Sequence, residues 1–463
     1  MDNTVLVMRC EKYDYDAVER IVSDGMRLLD YRPGGRVFAK PNLVFGYKPE
    51  VYGRHAYTHP AFMAASVLAL ARSGGVTQVD LGENAAVGMP TRMVYKYAGY
   101  YEEIRRVQGE APCPVRMFCI DEELRDRVFV GGLVHDNLRI ARRMARADSK
   151  VYLPKLKCHC VSNMTGAVKL NIGICSDDER SIRHDFLLDE KIVDLLSVGW
   201  PDLVVMDAIE VGVGNEAVPA PRTLGLILMG RNPIAVDLVG ARLLGFNLDD
   251  VPYLKAAVRR GYTPTSLEEV KLGGDLTSIE ALDEQAKRIM PYDEEYFRWQ
   301  DVSKELERMR SPIRFLWGPY RGQENGHRCL TGCVMGLKMF LAFFEKYAGP
   351  DAFARAKPVT FVIGRCDEQV DGRGSEVFLI GSCAMASVVN AKKITRIEKC
   401  FTTAGDMMQT ISFKLGMRSP FLDKSFLVTY LGALLRASLR KLLSLRYLQD
   451  IGHFLTKQLV RRV

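Results

Sequence analysis

Between Tyr152 and Asp185 the chain sets Lys155, Lys157, His159, Lys169, Arg180, Arg183 and His184 among small and amide residues. Ammonium, guanidinium and imidazole groups gathered this closely suit the binding of a carboxylate or phosphate. Imidazole titrates near neutrality, so His159 can act as a general acid or base, or can simply hydrogen-bond a ligand. Lys157 and His159 are the candidate catalytic pair, and Lys40, Asn42, Thr165, Gly166, Lys169, Asn171 and Asp207 the candidate substrate-binding set. Thr165, Gly166 and Ala167 open an element with small side chains, which would let an anion reach free backbone N–H groups at a helix start. Asp207 and Glu210 could bind a cation beside that anion, or could pair with the lysines and hold them.

Four cysteines form a second candidate centre: Cys329-x3-Cys333 precedes a helical pattern, Cys383 follows the strand-like VFLIGS, and Cys400 precedes FTTAGDMMQTI. Thiols at element ends can converge on a metal, and backbone N–H groups there stabilise thiolate and cluster charge. The expected occupant is an iron–sulfur cluster of the 4Fe-4S kind; a zinc ion is the second choice and four ordinary buried thiols the third. Cys366, in a loop after a strand, could replace one ligand. Cys158 and Cys160 flank His159, yet adjacent residues rarely all point at one ion, so both are read as buried thiols.

Several elements must position these groups. The apolar run Val151 to Leu153 predicts a short buried strand with the lysines just past its carboxyl end, the edge at which open parallel sheets bind ligands. A strand over Arg36 to Ala39, a helix over Ala61 to Arg72 capped by Thr58 or His59, and a strand over VTQVDLGEN make a strand–helix–strand unit. Asn42, Glu83, Lys157, His159 and Asp207 would then meet at one rim. A helix is expected over Leu138 to Ala147, and Asp237 is read as a structural ligand to backbone. From about Pro312 a second unit follows, with a helix at Cys333 to Tyr347, strands at Val359 to Gly364 and Glu376 to Gly381, and a helix around Asp406 to Leu415. No internal repeat stands out.

With 463 residues, 48% of them hydrophobic, the chain has material for two or three globular domains. We expect residues 1–275 as an α/β domain with a mostly parallel, Rossmann-like sheet, a helical connector over 276–311 with Tyr292 and Trp299, a smaller α/β cysteine domain over 312–418, and a helical tail over 419–463. The N-terminus lacks a signal-peptide pattern and no apolar run is long enough to span a bilayer, so a cytoplasmic protein is expected. Of the net charge of +8, the segment from Phe421 to Val463 carries +6, and the balanced remainder argues against nucleic-acid binding. Leu431, Leu435, Leu439 and Leu442 recur at helical spacing beside Arg436, Arg440, Lys441, Arg446, Arg461 and Arg462. Such a helix could lie on the inner face of an anionic membrane, or dock on its own chain or a second subunit.

Lys157-x-His159 and Thr165-Gly166-Ala167-x-Lys169-x-Asn171-x-Gly173, with Arg180 and His184, resemble the central signature of the domain of unknown function 362 family. Lys40-Pro41-Asn42 and Thr58-His59-Pro60 resemble its N-terminal signature. The resemblance implies a fold and a site, but no substrate. Gly381-Ser382-Cys383-Ala384 and Lys399-Cys400 resemble the third and fourth cluster ligands of nickel-iron hydrogenase small subunits, with Phe401 and Thr402 where those chains usually carry two prolines. The expectation is an iron–sulfur redox enzyme for a small anionic substrate, served by a redox partner protein. The alternatives are an electron carrier or maturation protein, or a non-redox enzyme with structural zinc.

Overall fold

The sequence TVLVMR at Thr4–Arg9 (β1) buries Val5 and Val7 on one side and Leu6 on the other, a period of two that puts apolar side chains on both faces of a sheet. The computed structural model describes residues 2–289, 301–320, 328, 329 and 331–460. The strands that follow are β2 (Gly35–Pro41), β3 (Val76–Glu83), β4 (Val115–Cys119), β5 (Arg125–Phe129), β6 (Asn137–Ala141), β7 (Ser149–Leu153), β8 (Lys155–His159), β9 (Asn163–Thr165), β10 (Leu203–Val213), β11 (Ala220–Gly230) and β12 (Lys271–Gly274). Ten of them form one sheet in the order β12-β1-β11-β10-β7-β2-β3-β4, with β8 paired to β10 and β9 to β8, while β5 and β6 make a separate hairpin. The run β10-β7-β2-β3-β4 is parallel throughout, and β11 lies antiparallel between β1 and β10.

Both faces of this sheet are covered, as a parallel sheet requires. Val205, Ile227 and Met229 pack with the helices Tyr15–Leu28 and Pro60–Arg72; their neighbours Val204, Met206, Leu226 and Leu228 pack with Leu188–Gly199, Pro233–Leu243 and Pro252–Arg259. The α/β architecture matches the reading of the sequence, and His59 caps the Pro60–Arg72 helix by accepting from the Ala61 N–H. One expected helix is absent. Over Leu138 to Ala147 the chain instead forms β6 and a single turn at Arg142–Ala145, because Leu138 and Ile140 alternate with polar neighbours and pair with β5.

The second unit contains β13 (Arg314–Trp317), β14 (Val359–Asp371), β15 (Glu376–Val389) and β16 (Lys393–Ile397), all parallel and in that order. It contains a repeat that the sequence reading missed: Val359–Ile363, Glu376–Ile380 and Lys393–Ile397 lie side by side at a constant offset of 17 residues. The helix Cys333–Ala348 joins the units, with Phe343 meeting Phe45 of the first unit at 4.6 Å between ring centroids. Of the expected connector, helices Ile279–Ala286 and Val302–Arg308 are seen, and residues 290–300, with Tyr292 and Trp299, lie outside the described residues. The tail forms two helices, Lys424–Leu443 and Arg446–Val460.

The segment that runs from Thr165, at the end of β9, to Lys169 is tied down from beneath. Asp237, fully buried on the Pro233–Leu243 helix, accepts from the N–H groups of Ala167 at 2.6 Å and Val168 at 3.0 Å. Its carboxylate sits where a side chain on Gly166 would have to go. Asp237 is thus the backbone ligand expected from the sequence. Replacing it by Ala strands two buried N–H donors, and Asp237→Ala should cost roughly 2–5 kcal/mol in urea unfolding. A loss within measurement error would show that this anchor is dispensable.

Candidate functional site

Because β7, β2 and β3 run parallel, their carboxyl ends share one edge. Lys40, fully buried at the end of β2, pairs with Glu83 at the end of β3. Glu83 also accepts from the N–H groups of Leu43 at 3.0 Å and Asn84 at 2.8 Å. Burial pulls the Lys40 ammonium below its ordinary pKa, and the Glu83 charge opposes that pull. Gly173 packs directly over this pair, where any Cβ would collide with the Lys40 Nζ. Asn42 is held by its N–H to Thr58 Oγ1 at 3.0 Å, while its own Oδ1 is buried without a hydrogen-bond partner.

Lys155, Lys157 and His159 belong to β8 itself, not to a loop beyond β7, so alternation sends all three to one side. Their environments differ. Lys155 donates to Asp207 at 2.9 Å and to the Tyr13 hydroxyl at 2.7 Å, forming a closed buried set to which the His59 N–H adds a bond to Asp207 at 3.0 Å. Lys157 donates to the carbonyls of Ala56 at 2.7 Å and Glu216 at 2.6 Å, which leaves one of its three N–H groups free. Desolvation brings its pKa down to about 7, with Glu216 opposing the shift and Lys169 adding to it. His159 accepts at Nδ1 from the N–H groups of Val161 at 3.2 Å and Ser162 at 3.3 Å, so its proton resides on Nε2, 4.0 Å from Glu216 Oε1. Burial and the surrounding lysines hold this imidazole neutral, well below the usual histidine range.

A cavity of about 560 Å³ opens over these groups. Lys40, Asn42, Lys157, His159, Thr165 and Lys169, all proposed from the sequence, line it. Asn171, Gly166 and Asp207 do not: Asn171 is locked to the Tyr152 hydroxyl at 2.7 Å, Gly166 packs on Asp237, and Asp207 serves Lys155. The helix-start N–H groups expected to meet an anion are likewise already held by Asp237. Asn42 Oδ1, Thr165 Oγ1, Arg180 Nε and Glu216 Oε1, all on residues of the cavity wall, are buried with no hydrogen-bond partner among the described residues. Lys169, brought down to about 8 chiefly by desolvation, forms no ion pair among them either. A buried polar group left unpaired costs roughly 1–3 kcal/mol, so several on one wall mark a place built for a polar ligand.

Glu216 was missed in the sequence, although an acid closing the loop Gly212-Val213-Gly214-Asn215 just after a rim strand was a usable signal. Lys338 was missed too, a charge set in the apolar first half of its helix; it reaches from the second unit to the Cys160 carbonyl at 3.0 Å. His159, Cys160 and Glu216 bring three potential metal donors within 4.8 Å of one another. Lys157, Lys169 and Lys338 surround them with positive charge, which opposes a cation there.

Cys329, Cys333, Cys383 and Cys400 come together at the near side of the second unit. The Cys400 thiol is pushed up to about 11 by burial, Asp185 and the other three cysteines. Cys333 accepts from the Thr402 N–H at 3.4 Å, and Gly381, at φ 100°, makes room for its sulfur. In β15 the extra residues 381–384 bulge from the ladder, which turns Cys383 out and leaves Cys366 opposite Ala386, apart from the four. Phe401, next to Cys400, stacks on His184 at 4.8 Å. Lys399, Phe401, Met335 and Gly336 therefore line the same cavity as Lys157 and Lys169. Such a cysteine set is compatible with a metal ion or a cluster. Among the described residues, no three of these four sulfurs lie within 4.8 Å of one another.

Comparison with known proteins bears on the first unit. Thylakoid-associated protein sll1697 of Synechocystis sp. is 28% identical over 244 residues, which make up 51% of this chain and 71% of that protein. The lactate racemase apoprotein of Thermoanaerobacterium thermosaccharolyticum aligns in structure at a TM-score of 0.34 and 11% identity, over 53% of this chain and 57% of that one. The model for the domain of unknown function DUF362 matches residues 37–242, the stretch from β2 to the Pro233–Leu243 helix that supplies Lys40, Lys157, His159 and Lys169. Over residues 37–242, the chain is similar to the domain of unknown function 362 family.

Proposed function

We propose that this protein is an iron–sulfur redox enzyme acting on a substrate that carries a carboxylate or phosphate. One observation supports the reading above the others: a single cavity is walled on one side by Lys157, Lys169 and Arg180 and on the other by the residues flanking Cys333 and Cys400. Lys169 and the free Arg180 Nε hold the anionic group, and Glu216 Oε1 and Asn42 Oδ1 accept hydrogen bonds from donor groups on the rest of the substrate. Lys157, with a pKa near 7, is poised to exchange a proton with the substrate. His159 is the weaker candidate for that task, because both lone-pair contacts of Nδ1 are to backbone N–H groups; its Nε2–H serves as a hydrogen-bond donor. Cys329, Cys333, Cys383 and Cys400 would hold the cluster, which supplies or accepts single electrons when bound. Cys400 is exposed, so electrons would enter from a partner protein on that side.

Purified without oxygen, the chain should contain about four irons with matching sulfide, lost when the four cysteines are changed to Ser. Zinc alone, or no metal, would sink the redox reading. Anion affinity should depend on pH with a defined sign. The lysine charges are present below about 7 for Lys157 and about 8 for Lys169 and are lost above them, so binding weakens as pH rises. With sulfate as a probe that does not itself titrate, calorimetry should show affinity falling roughly tenfold or more between neutral and alkaline buffer, and Lys169→Met should remove the upper part of the fall. A flat profile in the native chain would remove these lysines from the site.

We further propose that the protein works at a membrane surface, a reading in keeping with the name of the Synechocystis relative, thylakoid-associated protein. No helix among the described residues is long and apolar enough to cross a bilayer. The Lys424–Leu443 helix docks on the body through Phe426, Ala433 and Ala437 and leaves Val428, Leu431, Leu435, Leu439 and Leu442 more than half exposed on its far side. Arg440 and Lys441 reach back to Glu123 and Asp121 and Arg446 pairs with Asp450 of its own helix, whereas Lys424 and Arg436 form no ion pair among the described residues; Arg461 and Arg462 lie outside them. An apolar stripe in a segment of net charge +6 complements an anionic lipid surface. The chain should sediment with phosphatidylglycerol vesicles, release in high salt, and lose binding on Leu435→Glu with Leu439→Glu. A concentration-dependent dimer abolished by the same changes, without vesicle binding, would assign the stripe to a second copy instead.

A further inference from the structure

The cavity is larger and more apolar than a small anion needs. Its volume of about 560 Å³ falls among pockets that hold drug-sized ligands, ~300–1,000 Å³. The first unit supplies most of its charged groups, Lys157, Lys169, Arg180 and Glu216 among them, whereas the Cys333–Ala348 helix and the tail supply mostly apolar ones. Met339 and Phe343 of the Cys333–Ala348 helix face Phe421, Phe426, Leu427 and Tyr430, which belong to the start of the tail. Phe426 packs against Phe421 at 4.7 Å, Tyr430 at 5.5 Å and Tyr47 at 5.0 Å, so this part of the wall is an aromatic sleeve.

The same helix that closes the sleeve carries the exposed leucine stripe. Phe426, Leu427 and Tyr430 point to the cavity side, while Val428, Leu431 and Leu435, a few residues along, face outward. One helix thus walls the sleeve with its inner face and would meet lipid with its outer face.

We propose that the substrate is a membrane-borne amphiphile, with its carboxylate or phosphate head at Lys157, Lys169 and Arg180 and its apolar chain between Phe343, Phe426 and Tyr430, admitted along the Lys424–Leu443 helix. This rests on the anion-binding reading of the same cavity and adds the chemical class of the ligand. The head takes up the donors of Lys157, Lys169 and Arg180 at the inner end; the chain fills the sleeve, which a free small anion would leave bare.

The test compares three probes on the full chain by calorimetry, each below its micellar concentration: inorganic phosphate, dodecyl phosphate and dodecyl maltoside. Dodecyl phosphate should bind on the order of a hundredfold more tightly than inorganic phosphate, since burying each added methylene strengthens binding. Dodecyl maltoside, with the chain but no charge, should bind at least about tenfold more weakly than dodecyl phosphate. Leu427→Glu, at a partly exposed position, should cut dodecyl phosphate affinity roughly tenfold more than inorganic phosphate affinity. Equal affinity for the two phosphates would overturn the amphiphile while leaving the anion site intact. Equal affinity for the two dodecyl compounds would overturn the head assignment. Binding of neither phosphate, with no sulfate binding, would bring down the anion reading and this proposal together.

Discussion

Burying lysine is the constraint on which this structure turns. Lys40, Lys155, Lys157, Lys191 and Lys338 are all withdrawn from water, and a buried ammonium is tolerated only with a counter-charge, a set of acceptors or a lowered pKa. The chain uses all three solutions. Lys40 and Lys155 receive carboxylates from the neighbouring strands β3 and β10; Lys191 and Lys338 receive backbone carbonyls. Lys157 receives carbonyls too, but its partial neutrality and its remaining N–H set it apart as a group whose charge still answers to what enters the cavity. The paired lysines hold the frame rigid around Lys157 and Lys169, whose charges are left adjustable.

The second constraint is that neither unit encloses the cavity alone. The floor comes from the rim of the first sheet, the roof from the Cys333–Ala348 helix and the loop after Cys400, and the far wall from the tail. What holds them in register is an apolar seam in which Phe45 and Tyr47 of the first unit meet Phe343 and Phe426 of the others. Lys338 crosses the seam to the Cys160 carbonyl, so the backbone next to His159 and the helix that begins at Cys333 are mechanically one piece. Coupling between an anion site and a thiol set needs this kind of shared wall, because a shift of one against the other would open both.

Much of this was legible in the chain. The apolar runs of β2, β3, β7 and β10 and the cap at His59 gave a parallel sheet whose carboxyl edge collects Lys40, Glu83 and Lys157, since strand periodicity is local and strong. The convergence of the four cysteines could be anticipated from their places at element ends. Other features depend on partners remote in sequence. Nothing near Asp207 says that Lys155 will take it, and nothing near Gly166 says that Asp237, seventy residues on, will occupy the N–H groups left open for an anion. Asn171 looks like a ligand by type and is a buried strut by position. The repeat in β14 to β16 escaped notice because its rungs share a pattern of apolar positions and a Cys, with few identical residues between them.

That repeat has a consequence for how the thiols are measured out along the chain. Cys366, Cys383 and Cys400 each stand three residues beyond a rung of the same 17-residue coil, so the length between them follows the girth of the coil and not a flexible tether. One residue gained or lost within a rung would rotate every later position out of step, carrying Cys400 away from Cys383. The same change in the turns 372–375 or 390–392 would be absorbed at the surface. The geometry of the thiol set is in this sense a ruler written in chain length, with its graduations in the strands and its slack in the turns.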